Sequence, residues 1–425
     1  MTTVTQLPAI LGGEQAVTLD QTEATRWPLI DNQDEQAVLD VLRSGNLSLH
    51  PIVEELENNY KERTQRQFAL THNNGTSAIL AGLHSIGVQP FDEVIVPSAT
   101  WWSSVMPVLH CGGVPVFAEL EPTCLGLDPD DVERKITEKT KAIVVVHLFG
   151  MPSKMDELVA VAKKHNLKIL EDASHAHGAI YKGKPIGSFG DVSIFSMQGN
   201  KLCPSGEGGI LLCDDQEIWE SAVRLGHYER LINLESNNKY FAATGFGFKF
   251  RMAPMAAALA TSQLSRMDER NAKRNKNCVY LSNKLEALGI ETFLAPEDVN
   301  RVYFEFLVRY DESKTGLPIN DLVKALQVEG AHVAAPRYPL LHQQPVFTHD
   351  VWSKIARLPA TEDNPIHQYD PTDLPNTTLG NGSLLKLPAF PSANKDLLDQ
   401  YSNAFEKVLA HANDIPRTDK TEDSA

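Results

Sequence analysis

Short apolar runs rich in β-branched residues alternate with stretches of helical periodicity between residues 68 and 213. The predicted strands span residues 68–70, 93–96, 116–118, 142–147, 168–170, 192–195 and 209–213. The predicted helices between them span residues 77–87, 102–111, 130–138 and 154–165. Strands that alternate with helices form a mostly parallel sheet that is covered on both faces. Such a sheet places its ligand site beyond the carboxyl ends of its strands, so polar residues that follow predicted strands are the candidates for function.

The pattern divides the chain into four parts. We predict an N-terminal arm at residues 1–40, a large α/β domain at 41–290, a smaller C-terminal α+β domain at 291–412 and a flexible tail at 413–425. One long helical region is predicted over residues 252–290, and residues 302–310 alternate like a half-buried strand. Further helices are predicted at residues 322–328 and 397–409.

The composition limits the classes of partner. The chain has 39 Lys and Arg against 55 Asp and Glu, a net charge of −16, so it lacks the basic surface of a nucleic-acid binder. No run of 18 apolar residues occurs, and the N-terminus does not resemble a signal peptide. Five cysteines without a CxxC pair are typical of a reduced chain. We therefore expect a cytoplasmic protein that binds neither nucleic acid nor membranes.

Four predicted strand ends carry groups that could bind one ligand. These groups are a phosphate cradle at Gly75, Thr76 and Ser77, aromatic rings at Trp101 and Trp102, a carboxylate at Asp172, and a hydroxyl and an amine at Ser196 and Lys201. Backbone amides at a helix start bind anions, and a glycine allows close approach. A lysine can form a Schiff base, a carboxylate can keep a ring nitrogen protonated, and an aromatic face can stack on a ring. Together these are the groups that pyridoxal 5'-phosphate requires.

Several of these residues also have simpler interpretations. Asp172 could cap a helix, and Trp101 could belong to the core, with Trp102 as the alternative stacking residue. The spacing of His175 and His177 would suit a metal, but no third ligand is evident, so we predict no metal site. His227 and His342 could bind substrate or serve only structure.

The motifs and their order resemble those of the DegT/DnrJ/StrS aminotransferases. The matching fragments include Asn74-Gly75-Thr76-Ser77-Ala78, Glu171-Asp172-Ala173, Gly199-Asn200-Lys201 and Phe250-Arg251-Met252. Further fragments at residues 44–48, 92–97, 206–209, 338–342 and 387–388 extend the resemblance over roughly residues 7–409.

The resemblance implies a fold-type I transferase that depends on pyridoxal 5'-phosphate, with pyridoxamine 5'-phosphate as intermediate. It implies transfer of an amino group from L-glutamate or L-glutamine to a keto-sugar or keto-cyclitol, in amino-sugar, aminocyclitol or antibiotic biosynthesis. It assigns the Schiff base to Lys201, the ring nitrogen to Asp172, the stacking face to Trp101, the ring hydroxyl to His175 and the phosphate to Thr76, Ser77 and Ser196.

The resemblance also implies a homodimer whose active site is shared. Lys249 would then reach the phosphate in the partner subunit, although the family usually has Asn at this position. His50 and Phe91 stand where the family usually has Gly, and His175 stands where Gln is also common.

Two other functions are compatible with these motifs. One is a lyase, dehydratase or cyclase on the same fold, although dehydratase relatives replace the lysine by His and this chain keeps Lys201. The other is a regulator that has lost catalysis, which the presence of both Lys201 and Asp172 makes the weaker interpretation.

Overall fold

The computed structural model describes residues 6–335, 338–361 and 367–418. The strands are β1 (Phe68–His72), β2 (Glu93–Pro97), β3 (Val114–Ala118), β4 (Thr140–Val146), β5 (Lys168–Asp172), β6 (Ile180–Tyr181), β7 (Lys184–Pro185), β8 (Val192–Ser196), β9 (Gly209–Cys213), β10 (Val299–Asn300), β11 (Phe306–Arg309) and β12 (Leu384–Leu387).

The helices complete this framework. The α-helices are α1 (Thr22–Thr25), α2 (Asn32–Ser44), α3 (Ile52–Thr64), α4 (Gly75–Ser85), α5 (Met106–His110), α6 (Pro129–Arg134), α7 (Met155–Lys164), α8 (Gln216–Gly226), α9 (Tyr228–Leu231), α10 (Pro254–Ser265), α11 (Met267–Ala287), α12 (Glu312–Thr315), α13 (Ile319–Val328), α14 (Pro345–Thr348), α15 (Val351–Ala356), α16 (Pro375–Gly382) and α17 (Lys395–Ala410). Short 3-10 helices span Ala9–Leu11, Trp102–Ser104, Leu148–Gly150, Asn237–Phe241 and Leu341–Gln343.

The central sheet, within the described residues, has seven strands in the order β1-β9-β8-β5-β4-β2-β3. Neighbouring strands from β3 to β8 pair in parallel, and β9 runs antiparallel to both β8 and β1. The strands predicted from the sequence are all present, which confirms the mostly parallel α/β fold. The carboxyl ends of β1, β2, β4, β5 and β8 consequently meet at one edge of the sheet.

Burial explains why these segments form central strands. Consecutive residues of β4 from Ala142 to Val146 are buried, so both faces of the strand are covered. A run of β-branched residues suits such a position, because it packs well on a pleated surface.

A second hydrophobic core lies around the antiparallel pair β11 and β12. It combines residues that are far apart in the sequence: Val17 and Ala24 from the arm, Leu281 and Leu285 from α11, and Phe405 from α17. In contrast, buried residues between Tyr338 and Leu374 pack on the first core. The domain boundaries at residues 40, 290 and 412 therefore stay predictions, because the second core draws on segments from either side of all three and the first core on segments from either side of residue 290.

Three local predictions differ from the structure. The helical region at 252–290 is two helices, α10 and α11, because Arg266 between them leaves the helical conformation with φ −113°. The strand predicted at 302–310 covers only β11, and residues 302–308 are all buried instead of alternating. Of the predicted tail, Ile415 packs in the second core and Thr418 bonds Asp321, whereas residues 419–425 lie outside the described residues.

Glu329 holds the N-terminal arm on the second core. Its buried carboxylate accepts hydrogen bonds from the amides of Ala9 at 2.7 Å and Ala16 at 2.8 Å. It also pairs with the buried ammonium of Lys407 at 2.9 Å. Removing one member of a buried pair leaves the other charge without compensation.

We therefore expect Glu329→Ala to lower the free energy of unfolding by about 3–5 kcal/mol and to expose the arm to protease. Chemical denaturation and limited proteolysis would measure the two effects. Lys395→Ala, which removes an exposed pair with Asp399, is the control and should change little. Equal stability of the two variants would contradict this role for Glu329.

His72 at the end of β1 is buried, and we expect its protonation to disfavour the fold. Burial lowers its pKa to about 4, although the hydrogen bond from Nδ1 to the carbonyl of Leu70 opposes this change. The folded chain thus holds a neutral imidazole, whereas the unfolded chain protonates it near pH ~6.5. Stability from this residue is complete above that pH and is lost as the pH falls toward 4.

Between about pH 7 and pH 5, we expect His72 to account for about 2 kcal/mol of lost stability. His72→Phe keeps a buried ring but cannot take up the proton. Denaturation curves at a series of pH values should therefore show a smaller loss of stability in this variant. A slope equal to that of the wild type would show that His72 does not cause the acid sensitivity.

Candidate active site

A cavity of about 470 Å³ opens at the sheet edge where the carboxyl ends of the strands meet. Its volume lies in the range of roughly 300–1,000 Å³ that small-molecule sites usually have. The predicted site residues that line it are Gly75, Thr76, Trp101, Asp172, His175, Ser196 and Lys201. The structure therefore brings together side chains from positions spread over more than a hundred residues of sequence.

Asp172 is the last residue of β5 and is almost completely buried. The hydroxyl of Ser104 donates to Oδ2 at 2.7 Å, and the amide of Ser174 donates to Oδ1 at 3.1 Å. These two hydrogen bonds fix the plane of the carboxylate, so it is oriented before any ligand binds.

Lys201 lies on the loop that follows β8 and is half-buried. Its amide donates to the carbonyl of Gln198 at 2.8 Å, which closes a tight turn. Its Nζ lies 4.5 Å from the centre of the Phe304 ring. The amine is thus held over an aromatic face inside the cavity.

The start of α4 lines the cavity and carries groups that could bind a phosphate. Gly75 is needed here, because a Cβ at this position would lie 2.7 Å from Cβ of Ser196. The side chain of Asn74 caps the helix by accepting from the amide of Ser77 at 2.8 Å. The first amides of a helix have no partner within it, so those of Gly75 and Thr76 are available to an anion beside the hydroxyls of Thr76 and Ser196.

Ser77 is a predicted site residue that the structure does not bring to the cavity. Its hydroxyl donates to Oδ1 of Asn73 at 2.6 Å and to the carbonyl of Asn74 at 2.9 Å. The residue is buried and is absent from the cavity lining. Its role in holding phosphate stays a prediction without support from the position of its side chain.

An aromatic cluster borders the mouth of the cavity. The Trp101 ring lies 5.5 Å from that of Trp102 and 5.8 Å from that of Tyr338. Trp101 is 45% exposed and Trp102 is 44% exposed. Trp101 and Trp102 both line the cavity, so the choice between them as stacking residue stays open.

His175 and His177 face different surroundings although they are two residues apart. The His175 ring stacks on Phe304, with centroids 4.1 Å apart, and lines the cavity. His177 donates from Nε2 to the carbonyl of Ser196 at 2.8 Å and accepts the Tyr60 hydroxyl at Nδ1 at 2.9 Å. Burial, together with the positive charge of Lys201, lowers the pKa of His177 to about 3, so this ring is neutral.

Lys249 lies outside the cavity. It is exposed, and its ammonium is 5.8 Å from the centre of the Tyr228 ring. A contact between Lys249 and a partner subunit stays a prediction. His227 and His342 are buried and do not line this cavity: a hydrogen bond of 2.8 Å joins His227 to the carbonyl of Thr71, and one of 2.6 Å joins His342 to the hydroxyl of Ser98.

Sequence reasoning missed several residues that shape the site. Ser104 orients Asp172, Phe304 contacts Lys201 and His175, and Tyr338 joins the aromatic cluster. Tyr338 lies in a fragment that carried the family resemblance, which was a usable signal. Ser104 and Phe304 had no such signal, because their contacts arise only from folding.

Pyridoxal 5'-phosphate fits this set of groups. The amides and hydroxyls at the start of α4 can hold a phosphate, Asp172 can pair with a ring nitrogen, and the Lys201 amine can bond an aldehyde carbon. Gly75 lies close to Ser196, and a side chain at position 75 would prevent this contact. The contact keeps the amides of Gly75 and Thr76 beside the hydroxyl of Ser196.

Among the described residues, no three His, Cys, Asp or Glu side chains are grouped so that they could hold a metal ion. None of the helices in the described part of the chain is long and apolar enough to cross a membrane.

Comparisons with known proteins identify the family. The model of the DegT/DnrJ/EryC1/StrS aminotransferase family matches residues 28–368. The L-glutamine:scyllo-inosose aminotransferase of Streptomyces griseus is 31% identical, with 96% of this chain and 99% of the relative covered. The GDP-perosamine synthase of Caulobacter vibrioides is 33% identical, with 76% of this chain and 86% of the relative covered.

A solved structure extends the similarity to the fold. The aminotransferase from Psychrobacter cryohalolentis superimposes with a TM-score of 0.80 at 26% identity, covering 91% of this chain and 99% of that one. Because the family model matches most of the chain, the chain belongs to the DegT/DnrJ/EryC1/StrS aminotransferase family, whose members depend on pyridoxal 5'-phosphate.

Proposed function

We propose that this aminotransferase moves an amino group from L-glutamine or L-glutamate to the keto group of a cyclitol or a sugar. The observation that carries the proposal is that Lys201 and Asp172 line one cavity together with the phosphate-binding start of α4. Two relatives support the substrate class, since one is named for L-glutamine and scyllo-inosose and the other for GDP-perosamine.

Each residue of the cavity has a defined task in this proposal. Bound pyridoxal 5'-phosphate supplies an aldehyde for the amine and a ring that accepts electrons. Lys201 would hold the cofactor, and its freed Nζ would take a proton from Cα of the donor. Asp172 would hold the ring nitrogen, Trp101 would stack on the ring, His175 would contact the ring hydroxyl, and Thr76 and Ser196 would bind the phosphate.

A homodimer in the cytoplasm is part of the proposal. Exposed apolar side chains cluster between residues 232 and 248, just before Lys249 in the sequence. Among them, Ile232 is 70% exposed and Tyr240 is 77% exposed. Such a surface favours contact with another subunit. The five cysteines are free, which is compatible with a reducing compartment.

Replacing the proposed lysine should abolish the reaction. We expect Lys201→Ala to lose at least about 10³-fold in turnover, because both the covalent attachment and the proton transfer are removed. Borohydride treatment followed by peptide mass spectrometry should label residue 201 in the wild type and leave the variant unlabelled. Lys163→Ala, which replaces an exposed lysine of α7, is the control. It should be labelled at Lys201 and be as active as the wild type. Wild-type turnover by Lys201→Ala would refute the assignment.

Asp172→Asn tests the proposed contact between Asp172 and the ring nitrogen of the cofactor. The amide keeps the size of the side chain but not its charge, so the ring loses a partner for its protonated nitrogen. We expect a loss of about 10²-fold or more in the rate of the donor half-reaction, measured by stopped-flow absorbance. Ser104→Ala should have a smaller effect, since it removes one hydrogen bond to the carboxylate. Asp191→Asn, which alters a carboxylate at the opposite end of β5, is the control.

The acceptor can be identified directly. Enzyme in the pyridoxamine 5'-phosphate form would be mixed with keto-cyclitols, such as scyllo-inosose, and with nucleotide-linked keto-sugars. If the pyridoxamine form is prepared with L-glutamine that carries ¹⁵N at its α-amino group, the expected outcome is release of a 2-oxo acid in that step and transfer of the ¹⁵N to the ketone in the next. Turnover of donor without amine transfer to any of these ketones would contradict the proposal.

A further inference from the structure

Residues 198–201, the part of the loop that carries Lys201, are less buried than Met197 and Leu202 on either side. Gln198 is exposed, and Gly199, Asn200 and Lys201 are only half-buried. A second cavity of about 290 Å³ lies behind the loop, and Asn200 lines both this cavity and the main one. Because cavities border residues 198–201, hydrogen bonds contribute to the position of this part of the loop beside the packing of its buried neighbours.

One of these hydrogen bonds comes from the N-terminal arm. The indole Nε1 of Trp27 donates to the backbone carbonyl of Lys201 at 3.0 Å. The two residues are 174 positions apart in the sequence. The bond acts on the main chain of the residue whose side chain must reach the cofactor.

Trp27 is itself held by a charged residue of α11. The guanidinium carbon of Arg274 lies 4.1 Å from the centre of the Trp27 ring. Arg274 is 2% exposed, and its Nε and Nη1 have no hydrogen-bond partner among the described residues. Burial lowers its pKa to about 10, so it stays charged near neutral pH. A buried cation over an indole face is a favourable contact that fixes the ring.

The arm is anchored on both sides of Trp27. Before it, the carbonyl of Ala24 accepts from the amide of Ser392 at 3.2 Å. After it, the carbonyl of Leu29 accepts from Nε2 of Gln263 at 3.0 Å, and Asp31 accepts from Arg266 at 2.7 Å. Trp27 therefore lies on a strap fixed at both ends rather than on a free terminus.

We propose that Trp27 is a positioning residue: its indole N–H, oriented by Arg274, sets the main chain of Lys201 so that the amine meets the cofactor aldehyde. This inference rests on the proposed role of Lys201. It assigns to the N-terminal arm a task in the reaction itself, beyond its packing on the second core.

The chain offers a matched control. Trp219 is also half-buried, donates from Nε1 to the carbonyl of Ala69 at 3.0 Å, and stacks on Phe68 with centroids 5.6 Å apart. It lies outside the cavity lining. Trp27→Phe and Trp219→Phe each remove one indole hydrogen bond and keep a ring, so a purely structural effect should be similar in both.

The experiment measures how fast the covalent link to Lys201 forms. Cofactor-free enzyme would be mixed with pyridoxal 5'-phosphate, quenched with borohydride at set times, and analysed for label on Lys201 by peptide mass spectrometry. We expect Trp27→Phe to slow labelling by about 3- to 10-fold, the value of one hydrogen bond, and Trp219→Phe to label at the wild-type rate. The affinity for pyridoxamine 5'-phosphate, which cannot form the link, should be the same in all three proteins.

The outcomes separate the two proposals. Absence of label on Lys201 in the wild type would overturn the proposed function. Labelling of the wild type and Trp27→Phe at equal rates, or equal slowing by both tryptophan substitutions, would overturn the positioning role alone. If Trp27→Phe does not fold, Arg274→Met decides the question, because it keeps the indole N–H but removes the cation that orients it. Wild-type labelling by Arg274→Met would then refute the inference.

Discussion

The parallel pairing of β5 with β4 and β8 is the constraint on which the site depends. In this register Asp172 lies opposite Val146 on one side and Ile194 on the other, two residues before Ser196. The reversed strand β9 then pairs Ser196 with Gly209, and β1 pairs the same glycine with His72. The start of α4, three residues after His72, is thereby brought beside Ser196. A carboxylate, an anion site and the lysine loop consequently meet at one edge.

Strand geometry also separates two neighbouring carboxylates of β5. Successive side chains of a strand point to opposite faces, so Glu171 and Asp172 enter different surroundings. Burial would raise the pKa of Glu171, but hydrogen bonds from His147 and the amide of Gly187 hold it below its ordinary value. Glu171 thus serves the structure behind the sheet edge. Asp172, whose carboxylate is oriented by the hydroxyl of Ser104, lines the cavity.

The buried strands made the location of the cavity predictable from the sequence. The position of Asp172 and Lys201 at this cavity could be predicted because each follows an apolar run, and a parallel sheet gathers such positions at one edge. Ser77 shows the limit of this argument. Its place near the helix start suggested an anion ligand, yet its hydroxyl bonds the residues that cap the helix. Ser and Thr side chains often satisfy local backbone groups in this way, and sequence does not show which partner is chosen.

The sequence by itself determined the strands of the central sheet, its mostly parallel arrangement and the family resemblance, because these depend on local periodicity and on motifs that are contiguous in the chain. Tertiary structure alone decided that Ser104 orients Asp172, that Phe304 lies under Lys201 and that Trp27 holds the carbonyl of Lys201. Each of these contacts joins residues at least 68 positions apart. Their formation depends on the packing of whole elements against one another, and no local pattern encodes that packing.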